Sequence, residues 1–284
     1  MLFGIDRFNN FQTITSSAEK KLKEASIENA KKEIEWFLQK ALNFSLIEIK
    51  LDSNLKLSNE QLNCFNDFIN RRISGEPFQY ILKESSFYGY DFIVNKHTLI
   101  PRPESETIIS IAKKNGDYYN ALDIGTGSAA LAITLSLEKI ASNIDAIDIS
   151  EEALKIAKKN TERYNIQNVK LIKRDVFKSN FHKKYDLIVC NPPYISKKEY
   201  LNLDKHIKCY EPKIALTDNG DGLSFYKFFS KNLMDFLSPK GRIILEIGQN
   251  KTKPIIENLF QKNHINFKWH KDLNGDYRII ELYQ

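Results

Sequence analysis

The chain changes its hydrophobic rhythm near residue 100. Between Glu19 and Arg72, apolar residues recur at spacings of three and four: Ile34, Phe37, Leu38, Ala41 and Leu42 in one run, then Leu62, Phe65, Phe68 and Ile69, continuing to Arg72, in the next. That period puts one apolar stripe on one helix face and predicts a small helical domain. Ser58, with Gln61 three residues later, has the form of a capping box opening the second run. From Gly75 to Pro103 the pattern turns irregular and aromatic, and "FYGYDFIVN" alternates enough to predict a short hairpin ahead of "LIPRPESE". From Ala121 onward strand and helix alternate. "ALDIG", "NIDAID", "VKLIKRD" and "YDLIVCN" read as strands, "SAALAITLSLEK" and "SEEALKIAKKNTERY" as helices, the latter opened by Ser150 as N-cap. After an irregular segment come helix "GLSFYKFFSKNLMDFL", strand "GRIILEIG", a helix near Lys253 to Lys262, and two closing runs, "NFKWHKD" and "YRIIELYQ". Such alternation predicts a mostly parallel sheet with helices on both faces, and ligands bind beyond the carboxyl ends of such strands. The expected organisation is a helical domain over 1–74, a hairpin linker over 75–103 and an α/β domain over 104–284.

Composition narrows the class. The 284 residues are 42% hydrophobic and 27% charged, enough apolar material for one large or two modest domains. Forty-two Lys and Arg against 36 Asp and Glu leave a net charge of +6, which permits a phosphate-bearing partner without demanding one. No window approaches the roughly 18 consecutive apolar residues of a membrane span. The opening "MLFGIDRFNN" lacks the basic-then-apolar order of a signal peptide, so a cytoplasmic protein is expected. Residues 1–18 carry no pattern we interpret, and the lysine-rich run Lys20 to Lys32 reads as a solvated helix face. Cys64, Cys190 and Cys209 are far apart and the five histidines show no HExxH spacing, so neither a disulfide framework nor a metal site is expected.

The candidate chemistry lies at strand ends. In "DIGTGSAA", Asp123 closes a strand and Gly125, Thr126 and Gly127 turn tightly into a helix, where backbone can approach a ligand that a side chain would block. Asp148, 21 residues after Gly127, ends the next strand, where a carboxylate can accept from both ribose hydroxyls. A nucleoside cofactor is favoured over a bare tight turn. A dinucleotide fold wants a further glycine near the helix terminus; Ala130 stands third after Gly127. The strand "YDLIVC" then stops at Asn191, Pro192, Pro193 and Tyr194. Proline cannot donate to a sheet ladder and restricts the residue before it, so this strand end is held rigid.

The acid two positions before the first glycine, with glycines at alternate positions, resembles the S-adenosylmethionine loop of class I methyltransferases. The resemblance implies a Rossmann-like, mostly parallel seven-stranded sheet and places the cofactor loop at Gly125, Thr126, Gly127, Ser128 and Ala129, Ala129 standing where a third glycine is usual. It gives the ribose to Asp148 and the adenine edge to Asp175 with Val176; Asp175 alone reads equally as an ordinary loop acid. "NPPY" after the fourth strand resembles the signature of amino-methyltransferases acting on planar nitrogens, either adenine N6 or a carboxamide. There Asn191 and the Pro192 carbonyl accept the two N–H groups, Asn191 also lies against the cofactor, Pro193 stiffens the turn and Tyr194 offers a flat apolar face.

"GEPFQYIL", "FYGYDFIVNKHTLIPRPESE", "DIGTGSAALAI", "NPPYI", "YEPKIAL" with "DGLSFY", and "ILEIGQ" together resemble, in order and spacing over about residues 20–284, the HemK/PrmC family of protein-glutamine methyltransferases. That resemblance implies methylation of the glutamine in the Gly-Gly-Gln motif of class-one peptide chain release factors, modulating translation termination. It also implies a helical N-terminal domain that meets the release factor, and S-adenosylmethionine as cofactor. A monomer with no direct nucleic-acid or membrane partner is expected. The rival enzyme reading is an adenine-N6 methyltransferase on DNA or RNA, which must extrude its base and normally carries a recognition domain; no such domain is evident. A noncatalytic binding module would not need both the clamp and the cofactor loop. Arg102 is expected to order the active-site lip, to pair with Glu104 or Glu106, or to serve as a solvated or linker-stabilising arginine, and Glu211 and Glu246 carry no role readable from sequence.

Overall fold

The computed structural model describes residues 10–51, 55–178, 183–248, 250–272 and 274–283. Residues 1–9 of the uninterpreted opening and Gln249 of the "ILEIGQ" motif lie outside the described residues. The chain forms two compact units, Met1–Glu84 and Ser85–Gln284.

The first unit contains helices α1 (Phe11–Glu24), α2 (Ala30–Lys40), α3 (Leu46–Leu51), α4 (Asn59–Ile73) and α5 (Phe78–Leu82). The helical pattern starts earlier than its periodicity suggests: Asn10 caps α1 by accepting from the Thr13 N–H at 2.8 Å. Ser58 and Gln61 form the reciprocal capping box at the start of α4. The core is aromatic, with Phe37 of α2 stacked on Phe68 of α4 at 4.3 Å. Arg72 of α4 clasps Glu33 of α2 through two hydrogen bonds of 2.7 and 3.1 Å. The irregular pattern after Gly75 conceals α5, a single turn too short for periodicity to register.

The second unit begins with the hairpin β1 (Glu84–Phe87) and β2 (Tyr90–Ile93), followed by α6 (Glu106–Asn115), β3 (Tyr118–Ile124), α7 (Ala130–Leu137), β4 (Ala141–Asp148), α8 (Glu151–Arg163), β5 (Val169–Lys173) and β6 (Tyr185–Cys190). Then come three short helices, α9 (Lys197–Leu201), α10 (Lys205–Tyr210) and α11 (Lys213–Leu216), in the segment read as irregular. The chain closes with α12 (Ser224–Phe236), β7 (Leu237–Glu246), α13 (Lys253–Lys262), β8 (Asn266–Lys271) and β9 (Tyr277–Tyr283). Helix α6 was not expected; its four buried residues, Ile108, Ile109, Ile111 and Ala112, span little more than one turn. Ser150 caps α8 as expected, accepting from the Ala153 N–H at 3.2 Å.

Among the described residues, seven strands form one sheet in the order β5-β4-β3-β6-β7-β9-β8, with β9 antiparallel to both of its neighbours and the rest parallel. Alternate residues feed the two faces. Leu187, Val189 and Ile244 pack with α6, α7 and α8, whereas Ile188, Cys190, Ile243 and Leu245 pack with α12 and α13. Connections leave β3 in both directions along the sheet, so the carboxyl ends of β3, β4 and β6 diverge around a crevice.

The hairpin is tied to this unit by one fully buried amide. Asn160 of α8 accepts from the Ile93 N–H at 2.7 Å and donates to the Ile93 and Ser128 carbonyls, both at 2.9 Å. It therefore links the hairpin to the glycine loop. Replacing it removes the partner of three backbone groups at once, so Asn160→Ala is expected to lower unfolding free energy by about 2–4 kcal/mol in urea titration. A loss below about 0.5 kcal/mol would mean that these groups find other partners.

Candidate active site

The crevice holds a cavity of about 340 Å³ lined by residues from the ends of β3, β4 and β6 and the loops behind them. Gly125, Thr126, Gly127 and Ser128 form one wall, and Asp148, Asp175, Val176, Asn191 and Pro193 lie on the others. Ala129, Pro192 and Tyr194 are not part of the lining. Ala129 is buried behind the loop, where its left-handed backbone (φ +63°) shows why glycine suits that position. The alanine adds backbone strain of about 1–2 kcal/mol as well as a methyl.

Gly125 also has a left-handed backbone (φ +72°), and a Cβ placed on it would meet no protein atom within 4 Å. The loop therefore presents bare backbone to open space. Asp123 supports it from beneath: its Oδ2 accepts from the Thr126 hydroxyl at 2.6 Å and from the Ala132 N–H at 3.2 Å. Burial raises the Asp123 carboxyl to about 7, and its Oδ1 is buried without a partner.

Asp148 Oδ2 accepts from the Gly127 N–H at 2.9 Å and Oδ1 from the Ser150 N–H at 2.8 Å. Burial pushes its pKa up while those N–H groups pull it down. Each oxygen keeps a further lone pair. Asp175 Oδ1 caps the turn by accepting from the Phe177 N–H at 3.0 Å. Phe177, 46% exposed, meets Phe225 and Phe228 edge-on, and with Ile149, 48% exposed, gives the cavity an apolar slot. The sequence reading stopped at Val176 and missed these rings, although Phe177 is the next residue.

Beyond β6 the chain is clamped in place. Ile195 donates its N–H to the Leu216 carbonyl at 3.0 Å and Lys197 its N–H to the Gly220 carbonyl at 2.8 Å. Asp218 gathers the following turn, accepting from the N–H groups of Gly220, Gly222 and Ser224. Gly222 (φ +78°) lies so close that a Cβ there would sit 2.3 Å from the Tyr194 carbonyl oxygen.

Asn191 is half-buried, and its Nδ2 donates to Ser105 Oγ at 2.9 Å. Among the described residues, no donor reaches its side-chain oxygen or the Pro192 carbonyl. Ser105 donates in turn to Glu246 Oε2, and the Tyr194 hydroxyl donates to Glu246 Oε1 at 3.2 Å. Burial raises Glu246 to about 7, against Ser105, Tyr194 and Arg278; burial and the Glu246 charge raise Tyr194. Tyr194 thus turns its polar end away from the cavity wall, with its ring against Gly248. Arg102 pairs with neither Glu104 nor Glu106. Its Nη2 donates to both oxygens of buried Glu211, at 2.6 and 2.7 Å, and holds the turn before α6 to the end of α10. Among the described residues, no cluster of His, Cys, Asp or Glu is suited to a metal ion.

Residues 13–82 match the PrmC N-terminal domain and residues 104–221 the methyltransferase small domain. The release factor glutamine methyltransferase of Fusobacterium nucleatum is 36% identical over 264 residues, covering 91% of this chain and 75% of that protein. That of Bacillus subtilis is 36% identical over 237 residues, covering 79% and 81% respectively. The chain belongs to the release factor glutamine methyltransferase family. A bifunctional methyltransferase of Rickettsia typhi is 33% identical over 295 residues; this chain spans only 57% of that relative's length. Among solved structures, a methyltransferase from Pyrococcus furiosus superposes with a TM-score of 0.53 at 22% identity, covering 75% of this chain and 96% of that one, a likeness of fold. The seven-stranded, mostly parallel architecture agrees with that family's fold.

The close approach at Gly222 gives a direct test of how the turn is held. Gly222→Ala is expected to cost at least about 1–2 kcal/mol in urea unfolding, from left-handed strain alone, and to move the Tyr194 backbone. Unchanged stability would show that the turn relaxes without cost.

Proposed function

We propose that this protein transfers a methyl group from S-adenosylmethionine to the side-chain amide nitrogen of the glutamine in the Gly-Gly-Gln loop of class-one release factors. The observation that carries this reading is Asn191 on the wall of the glycine-loop cavity, with no donor to its side-chain oxygen among the described residues. Its likeness to the release factor glutamine methyltransferases of Fusobacterium nucleatum and Bacillus subtilis supports the substrate class.

The residues fit the cofactor. Asp148 keeps a free lone pair on each oxygen for the two ribose hydroxyls, the space above Gly125 is clear, and Ile149, Val176, Phe177 and Phe225 supply apolar surface for a purine ring. Asp175 would take the adenine edge, and the backbone from Gly125 to Ala129 would cradle the rest. When bound, S-adenosylmethionine supplies a methyl carbon made electrophilic by its positively charged sulfur.

An amide nitrogen is a poor nucleophile because its lone pair is delocalised into the carbonyl. Asn191 Oδ1 and the Pro192 carbonyl each accept one of its N–H groups, which draws the nitrogen toward tetrahedral geometry and takes its lone pair out of conjugation with the carbonyl. The same two oxygens stabilise the positive charge that grows on nitrogen. The methylated nitrogen would lose one of its two protons to solvent and return to a neutral secondary amide, with S-adenosylhomocysteine as the other product. Pro192 and Pro193 keep the acceptors from swinging away, and Tyr194, outside the cavity lining with its hydroxyl on Glu246, anchors the turn rather than facing the substrate. We assign release-factor recognition to the helical residues 1–74, with 75–103 as the connecting hairpin, 104–284 as the catalytic part, and a single copy of the chain as the active form.

The deciding experiment offers labelled S-adenosylmethionine to a class-one release factor, to the same factor with its loop glutamine changed to alanine, and to adenine-containing DNA. Label on the first alone is expected; label on DNA would overturn the substrate. Asn191→Ala is expected to reduce kcat about 100-fold or more while leaving affinity for S-adenosylhomocysteine unchanged in calorimetry. Full activity would remove Asn191 from the clamp. Asp148→Ala should weaken that affinity by about 1–3 kcal/mol through lost charged hydrogen bonds; no change would take Asp148 out of the cofactor site.

A further inference from the structure

The carboxamide of Asn191 has two nearly isosteric ends, one an acceptor and the other a donor. A half-turn about its last bond would exchange them, and an N–H pair facing the substrate amide would repel the groups it should bind. The choice is made by Ser105, on the cavity wall beside Asn191, and by Glu246, outside the lining. Asn191 Nδ2 donates to Ser105 Oγ at 2.9 Å, and the single Ser105 hydroxyl proton is committed to Glu246 Oε2. An ionised carboxylate can only accept, so Ser105 Oγ has only its lone pairs to offer Asn191. The Tyr194 hydroxyl holds the other carboxylate oxygen at 3.2 Å, which fixes Glu246 from a second side.

We propose that Glu246, acting through Ser105, sets the direction of this hydrogen-bond chain and thereby presents the Asn191 side-chain oxygen, not its amine, to the substrate nitrogen. This rests on the amide-methylation reading above. Glu246 and Ser105 are positioning residues, because they act through Asn191. The chain has a second polarity. A protonated Glu246 can donate to Ser105 Oγ, Ser105 can then donate to Asn191 Oδ1, and the Asn191 amine turns into the cavity.

Among the described residues, the groups that act on Glu246 include Glu104 and Ser105 from the turn before α6, Cys190 and Tyr194 at the end of β6 and just beyond it, Tyr226 of α12 and Arg278 of β9. The Tyr226 hydroxyl donates to the Glu246 carbonyl at 2.8 Å and so anchors its backbone. Burial outweighs the lowering effects of Ser105, Tyr194 and Arg278 and raises the carboxyl to about 7, so both polarities fall within the range of a rate measurement.

The test is kcat for methyl transfer to a class-one release factor from about pH 5.5 to 8.5, with S-adenosylhomocysteine affinity measured alongside. In the unaltered protein kcat should fall toward tenfold per unit below about pH 7, following one proton, with cofactor affinity level. Glu246→Gln, whose amide can donate as a protonated carboxyl does, should lose about 30-fold or more in kcat at high pH and lose the acid limb, with cofactor affinity within about twofold. Ser105→Ala breaks the relay and should lower kcat about tenfold with the same flattening, whereas Ser105→Thr keeps the hydroxyl and should restore the limb. Wild-type kcat in Glu246→Gln or Ser105→Ala, or an acid limb unchanged in either, overturns the inference. Should Glu246→Gln not fold, Ser105→Ala and the pH profile of the unaltered protein decide it. An unaltered protein that labels no release factor overturns the substrate reading and this inference with it; an active one whose variants behave as wild type overturns this inference alone.

Discussion

A site that activates an amide nitrogen has to keep two oxygens unpaired on its open side, and unpaired acceptors in a half-buried setting are costly unless something holds them from behind. Most of the unusual features near the end of β6 satisfy that constraint. Prolines stiffen the turn, Ile195 and Lys197 bind it to the 216–220 segment, and Gly222 lets the Tyr194 carbonyl approach within a distance no Cβ would allow. Ser105 accepts from the amine of Asn191 and donates to Glu246, and no donor among the described residues meets the Asn191 side-chain oxygen.

What sequence reveals about such a site depends on how far apart the partners lie along the chain. Local devices were legible: the capping box at Ser58 and Gln61, the N-cap at Ser150, the glycine loop, and Asp148 at a strand end all involve partners within a few residues or a fixed strand-turn-helix spacing. The parallel sheet followed from alternating strand and helix patterns, because a parallel pairing leaves its crossover written in the sequence. Short helices such as α5 and α9 to α11 carry too few positions for a period to stand out, and residues 75–103 and 192–221 read as irregular for that reason.

The supporting shell was not legible. Ser105 and Asn191 are 86 residues apart, Ser105 and Glu246 are 141 apart, and Arg102 and Glu211 are 109 apart. Nothing in the local pattern of "PRPESE" selects Glu211 over the nearer Glu104 and Glu106. The choice follows from chain geometry: Arg102 is held extended just before a short turn, and the end of α10 brings Glu211 to its fork. Glu246 likewise looks, in "ILEIG", like an out-of-place charge in a buried strand. The structure gives it a reason, since a buried charge survives only where hydrogen bonds meet it, and here Ser105 and Tyr194 do so.

Asp123 and Glu246 show how one physical effect serves two ends. Burial raises both carboxyls to about 7. Asp123 can hold its loop in either charge state, because the Thr126 hydroxyl and Ala132 N–H need only an acceptor. Glu246 has no such freedom, because its charge decides which way a serine proton points. The two demands on it oppose each other. Its folded pKa lies above the ordinary carboxyl value of 4.5, so its contribution to stability is fully present below about pH 4.5 and is lost as pH rises to about 7. The orientation that leaves Asn191 ready to accept grows at the upper end of that interval and beyond it. A carboxyl tuned for stability alone would be replaced by an apolar residue. One retained in the ionised form, at a cost to the fold, is what an acceptor clamp needs to keep its polarity.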